Sequence, residues 1–180
     1  MKPLVKVPNE VLIKTAKDIQ IVDKKIQRLI VDLKETLEKA ENPKGVGLAA
    51  PQIGVSLRAF AMRPKENGPI RVIINPRIVQ VSKKMVKGIP DRENHIEGCL
   101  SIPNVWGAVE RRKEVTLTFL DEQGDEHTEV FKDFPAIIVQ HEVDHLDGIL
   151  FTRRVLEQKG ELYQQAKDEN GKEVLEPIEI

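Results

Sequence analysis

Gln140-His141-Glu142-Val143-Asp144-His145-Leu146-Asp147-Gly148 is the stretch around which the rest of the chain has to be arranged. Residues four apart on an α-helix are offset by only about 40° around its axis. His141 and His145 therefore share one face, one turn apart, and can reach a single cation. Glu142 is rotated by about 100° from His141, near enough to reach a water on that cation without becoming a ligand. Phe134, Ile137 and Ile138 lie one and two turns earlier on the same face, so the face turns inward. Two buried histidines without a shared partner would be costly, which weighs against a merely solvated pair. The helix should start near Asp133 as N-cap, accept Pro135 in its first turn, run through Leu146 and end at Gly148.

Two histidines do not complete a site, because a catalytic centre of this kind has three protein ligands and an open position. Cys99, His95, His127 and the downstream carboxylates Glu157 and Glu161 are the candidates for the third. His127 falls in an expected exposed hairpin, where solvation is its natural state. Cys99 sits among Gly98, Leu100 and Ser101, where backbone can approach closely, and a thiolate binds a borderline-soft metal strongly. A single cysteine is also at home as a small buried apolar residue, so spacing alone leaves both readings open.

Working outward, 180 residues suit one compact domain over 1–180 with a core of its own. A hydrophobic fraction of 40% with 32% charged residues is that of a soluble globular chain. The net charge of -1 gives no ground for specific nucleic-acid or membrane binding. One cysteine excludes an internal disulfide and fits a reducing compartment. The start, Met1-Lys2-Pro3-Leu4-Val5-Lys6, lacks the apolar core of a secretory signal, and no apolar run approaches the ~20 residues of a membrane helix. The expected location is the cytoplasm, with an organellar form lacking its transit segment left open.

Before the metal helix, Asn9 to Ala40 reads as helical in two pieces, with Asn9 as N-cap and a stripe of Ile26, Leu29, Ile30, Leu33, Leu37 and Ala40. Asn42-Pro43-Lys44-Gly45 should stop it. Strands are expected at Leu57–Met62, Arg71–Ile74 and Ile78–Val81, the last two parted by Asn75-Pro76. Ser82–Asn94 reads as a polar loop. Glu114–Leu120 and Glu126–Phe131 alternate around Asp121–Asp125 as a hairpin, and Glu161–Ile180 reads as a terminal hairpin turning at Asn170-Gly171. The expected fold is α+β, with antiparallel strands flanking a central metal-binding HExxH helix and an N-terminal helix.

Three segments occur in order: Gly45-Val46-Gly47-Leu48-Ala49-Ala50-Pro51-Gln52, Glu97-Gly98-Cys99-Leu100-Ser101, and the nine residues from Gln140 to Gly148. Together they resemble the three signature motifs of the peptide deformylases, and the likeness covers roughly residues 1–155. The resemblance implies that Cys99, His141 and His145 hold one divalent metal ion per chain. Fe²⁺ is its implied form in the cell, with Zn²⁺, Ni²⁺ or Co²⁺ as occupants of purified protein. It implies Glu142 as general acid and base, the Gln52 amide and the Leu100 backbone N–H as oxyanion donors, and the backbone around Gly45 and Gly47 as support for the substrate. The implied substrate is a formyl-Met nascent peptide, with transient ribosome contact. Glu97 is expected to brace a ligand or form a salt bridge, with Arg111 as the candidate partner, and Gln140, Asp144 and Ser101 read either as bracing ligands by hydrogen bonds or as solvated on the surface. Phe134, Ile137 and Ile138, on the His141 face, read as the wall of a pocket for the methionine side chain, as plain core packing, or as both.

The chemistry is coherent on its own terms. A formamide carbonyl is a weak electrophile and water a weak nucleophile. A bound cation lowers the pKa of water from about 15.7 towards 7 and polarises the carbonyl. Three features depart from the family pattern: a long Ser82–Ile96 segment, Val105-Trp106-Gly107 in place of a segment often charged, and no long C-terminal amphipathic helix. The competing readings are a zinc peptidase, whose usual downstream third ligand would have to be a carboxylate since no histidine follows His145, and a metal-stabilised binding module.

Overall fold

The computed structural model describes residues 2–41, 44–89, 96–167, 169 and 171–179. In chain order, a 3-10 turn at Glu10–Ile13 precedes α1 (Lys24–Glu38), β1 (Gly47–Ala49), a second 3-10 turn at Ala50–Ile53, β2 (Ala59–Met62) and β3 (Arg71–Val81). There follow β4 (Met85–Lys87), β5 (Glu97–Cys99), β6 (Ile102–Gly107), β7 (Glu110–Arg112), β8 (Glu114–Leu120) and β9 (Glu126–Lys132). The chain closes with α2 (Phe134–Leu146), α3 (Phe151–Glu157), β10 (Leu162–Lys167) and β11 (Glu173–Pro177). The α+β class with antiparallel sheets is therefore observed.

The main sheet runs β1-β2-β3-β8-β9, a second runs β11-β10-β6-β5, and β4 pairs with β7. The main sheet is covered on both faces, which explains why β2 is buried at every position. Ala59 and Ala61 of β2 face Ile26, Leu29, Leu33 and Leu37 of α1. Phe60 and Met62, pointing the other way by the two-residue period of a strand, pack on Ala136, Val139, Val143 and Leu146 of α2. Each such fully buried aliphatic or aromatic side chain contributes about 1.5–3 kcal/mol, so α2 is held as a core helix. A third cluster joins Cys99, Ile102, Val109, Phe151, Val155 and Leu162 beneath the second sheet.

Several expectations need correction. Only one 3-10 turn forms after Asn9, whose side chain accepts from the Val11 N–H at 3.1 Å. The chain then runs extended, with Lys17 bridging Leu57, until Asp23 caps α1 by accepting from Lys25 N and Ile26 N. The helix stops at Glu38, ahead of Asn42 and Pro43, which lie outside the described residues. Arg71–Val81 is one strand: Asn75 takes φ 50 and the pairing with β8 shifts register between Ile74 and Arg77, so the Asn-Pro step is absorbed as an irregularity. The Ser82–Asn94 segment contains β4, paired with β7, while Pro90 to Asn94 lie outside the described residues. Asp133 precedes α2 as expected, but with φ 54 and no side-chain capping bond. The terminal hairpin forms, and β10 continues it onto β6; its turn residue Asn170 lies outside the described residues.

Candidate metal centre

Cys99 arrives on β5 and the two histidines on α2. The thiol sulfur and one nitrogen of each ring lie within 4.8 Å of one another, a group that could hold a metal ion. The Cys99 sulfur is 3.2 Å from His145 Nε2. The two rings stand edge to face with centroids 5.0 Å apart, and His141 also stacks on Phe151. His127 is on the surface beside Asp121, and Glu157 is paired with Arg153 and Arg154. Glu161 is exposed and accepts from the Tyr163 hydroxyl, while His95 lies outside the described residues.

The nitrogen that each ring offers is set by what the other nitrogen does. His141 Nδ1–H donates to Glu97 Oε2 at 2.9 Å, which leaves Nε2 free to face the sulfur. Glu97 is itself gripped by Arg111 Nε at 2.6 Å and Nη2 at 2.9 Å. Burial would raise the Glu97 pKa, but Arg111 and His141 outweigh it and bring it down to about 2, so Glu97 is an anion. Burial likewise works against a charged His141, yet its hydrogen bonds to Cys99 and Glu97 raise its pKa well above the usual value. Burial holds His145 well below the usual value, so its imidazole is neutral and a competent ligand.

Glu142 lies buried against the same cleft, and its Oε2 has no protein partner among the described residues. Burial raises its pKa to about 7, with His141 and Arg111 opposing. Such an orphaned buried carboxylate oxygen, on a residue that lines the cleft with Cys99 and His141, fits a site that takes a divalent cation and its water. His145 Nδ1 is the other buried unpaired atom of the site.

Gln52, from the 3-10 turn after β1, is buried. Its Oε1 accepts from Ala49 N–H at 2.8 Å, and its Nε2 donates to Ser101 Oγ at 3.2 Å and towards Cys99 Sγ at 3.5 Å. Its amide orientation is thus fixed, nitrogen towards the cysteine. Leu100, Gly45, Gly47, Phe134, Ile137 and Ile138 line one cleft together with Gln52, Cys99, His141 and Glu142. Lys44, Val46, Ile89 and Trp106 line it as well. Sequence reading singled out Trp106 as a departure from the family pattern, and it missed Ile89, hidden in the segment read as polar loop, and Val46, whose apolar side chain between two glycines was the available signal. Gln140 bonds both N–H and C=O of Arg112, so it ties α2 to β7 rather than touching a histidine. Asp144 is clamped between Arg111 and Arg154.

Three such donors on one strand and one helix, beside a buried carboxylate, form a group that could hold a metal ion. The family model for polypeptide deformylases matches residues 1–161. A peptide deformylase of Pseudothermotoga lettingae is 48% identical over 141 residues, 78% of this chain and 75% of that one. Another, from Desulforudis audaxviator, is 41% identical over 151 residues, 84% and 91% of the two chains. The crystal structure of a class I type b peptide deformylase from Acinetobacter baumannii with Met-Ala-Ser bound superposes with a TM-score of 0.73 at 35% identity, covering 86% of this chain and 98% of that one. The chain belongs to the peptide deformylase family.

Proposed function

We propose that this chain hydrolyses the formyl group from the N-terminal formyl-Met of newly made polypeptides, at a centre held by Cys99, His141 and His145. One observation carries the assignment of residues: in a member of the deformylase family, the three donor atoms approach within 4.8 Å beside a buried carboxylate with a free oxygen. When bound, a divalent cation supplies Lewis-acid polarisation of the formyl carbonyl and a water nucleophilic near neutral pH. Glu142 takes the proton of the attacking water at Oε2 and delivers it to the departing amine nitrogen. The C–N bond breaks, giving formate and a free amino terminus.

Gln52 Nε2 and the Leu100 N–H donate to the oxygen that becomes negative; one such donor is typically worth about 3–4 kcal/mol. The backbone around Gly45 and Gly47 holds the peptide beside β1. Phe134, Ile137 and Ile138, which line the cleft beside His141, form the apolar wall that receives the methionine side chain. The whole chain acts as one catalytic domain built on a central HExxH helix. A Cys/His/His set suits Fe²⁺ in the cell and accepts Zn²⁺, Ni²⁺ or Co²⁺ on purification. The setting is the cytoplasm, in transient contact with the ribosome as chains emerge; among the described residues, no helix is long and apolar enough to cross a membrane.

The test is formate release from formyl-Met-Ala-Ser by wild type and Glu142→Ala, with anaerobic metal analysis of the same samples. Wild type releases formate at one metal per chain and Glu142→Ala does not. Cleavage of internal peptide bonds without formate release would make the chain a peptidase instead. Equal formate release by both proteins would remove Glu142 from the reaction.

A further inference from the structure

A chain of charges leads from the surface of α3 to a histidine of the metal centre. Arg154 Nη2 donates to Asp144 Oδ1 at 2.7 Å. Asp144 Oδ2 accepts from Arg111 Nη1 at 3.0 Å. Arg111 grips Glu97 through Nε and Nη2, and Glu97 accepts from His141 Nδ1. Asp144, Arg111 and Glu97 are all buried, whereas the Arg154 side chain is 34% exposed. The two carboxylates and two guanidiniums sum to zero formal charge, so each member is needed to balance the others in a medium where an unpaired charge is expensive.

The elements joined are the ones that assemble the centre. β5 carries Glu97 and, two residues on along the same strand, Cys99. α2 carries His141, Asp144 and His145. Arg111 of β7 bridges Glu97 to Asp144 and so fixes how far β5 stands from α2, which is the distance between sulfur and imidazoles. Arg111 has to divide one guanidinium between two carboxylates. It meets Asp144 with Nη1 alone and Glu97 with Nε and Nη2, while Arg154 holds both Asp144 oxygens, Nη2 on Oδ1 at 2.7 Å and Nε on Oδ2 at 3.2 Å.

We infer that Arg154 is a positioning residue for metal binding, acting on His141 through Asp144, Arg111 and Glu97. The inference rests on the metal-centre reading above. Without Arg154, Asp144 draws Arg111 towards itself, Glu97 loses one prong, and the carboxylate that orients His141 loosens. Arg153, its neighbour, shares Glu157 with Arg154 but bonds none of Asp144, Arg111 and Glu97, so it serves as the control for losing an arginine beside Glu157.

The experiment is Zn²⁺ affinity by competition with a chromophoric chelator, on the full chain at fixed pH and salt. Glu97→Gln should weaken binding about 10–100-fold, and Arg154→Met, one relay further out, about 3–10-fold. Arg154→Lys should recover most of the loss, and Arg153→Met should bind as wild type. In the Glu97→Gln background, Arg154→Met should add less than about twofold, since the route is already cut. Wild-type affinity in Arg154→Met, or an undiminished effect of Arg154→Met when Glu97 is already changed, would overturn the relay. So would Arg154→Lys binding as poorly as Arg154→Met. If instead wild type binds no Zn²⁺, or Cys99→Ser binds as tightly as wild type, the metal-centre reading itself falls.

Discussion

Gly47 and Glu142 fit together only because Gly47 has no side chain: a Cβ built on it would stand 2.8 Å from Glu142 Cδ, with the carboxylate oxygen Oε1 closer still. The glycine is therefore the floor on which the buried carboxylate rests. Gly47→Ala should push Glu142 off its position while leaving Cys99, His141 and His145 in place. The expected result is a kcat loss of about 100-fold or more, the usual scale for a displaced general base, with metal content unchanged. Steady-state kinetics with metal analysis decides it; a kcat within twofold of wild type would show that Glu142 has room elsewhere.

Ile137 is buried on the face of α2 that also presents His141, and it lines the cleft with Phe134 and Ile138. If this wall receives methionine, enlarging it must shorten the pocket. Ile137→Phe should raise KM for formyl-Met peptides roughly tenfold while altering formyl-Ala peptides much less. A pure packing role predicts a lower melting temperature and equal effects on both substrates.

Asn75 shows why the sequence suggested a break where the structure has none. Its backbone sits at φ 50, and its side chain accepts from Ile19 N–H at 2.8 Å and donates to Ile19 C=O at 2.7 Å. The amide thus supplies β3 with bonds to the extended Asp18–Val22 region that a strand neighbour would normally give. Asn75→Ala should lose both bonds and adopt a strained φ, costing roughly 2–3 kcal/mol in urea unfolding. Asn75→Gly should recover part of that by relieving φ alone. Equal stabilities for the two variants would place the whole effect in the hydrogen bonds.

What the sequence made legible follows from where local rules and long-range packing agree. The histidine helix was readable because its period, its apolar flank and its terminal Gly148, at φ 72, all point the same way. The hairpin Glu114–Lys132 was readable from alternation and its turn. The Glu97–Arg111 pair was within reach because opposite charges near a glycine-rich motif invite one another. The continuation through Asp144 to Arg154 was not, since nothing local ties residue 111 to 144 or 154. β5 and β6 escaped because Gly98, Pro103 and Gly107 punctuate them; they exist as strands through pairing with each other and with β10. α3, seven residues long and with Leu150 providing no side-chain cap, is held by Phe151 and Val155 in the core and not by its own propensity.

The N-terminal segment supplies the last prediction. Val5 N–H donates to the Gln52 carbonyl at 2.8 Å, and Val7 N–H donates to the Ser101 carbonyl at 3.1 Å. Gln52 and Ser101 belong to two separate turns of the chain, and their side chains are joined by the Nε2–Oγ bond. One N-terminal segment therefore laces both turns through two backbone bonds two residues apart. Val5→Pro removes the donor to Gln52 and crowds the carbonyl it served, whereas Val5→Ala keeps the N–H. If the lacing sets the position of the Gln52 amide, Val5→Pro should lower kcat roughly fivefold, the effect of about 1 kcal/mol, with little change in KM for the peptide. Val5→Ala should stay close to wild type. Should the alanine variant lose as much kcat as the proline variant, the valine side chain rather than its N–H would be holding the loop, and the two-rung lacing would have no part in placing the oxyanion donor.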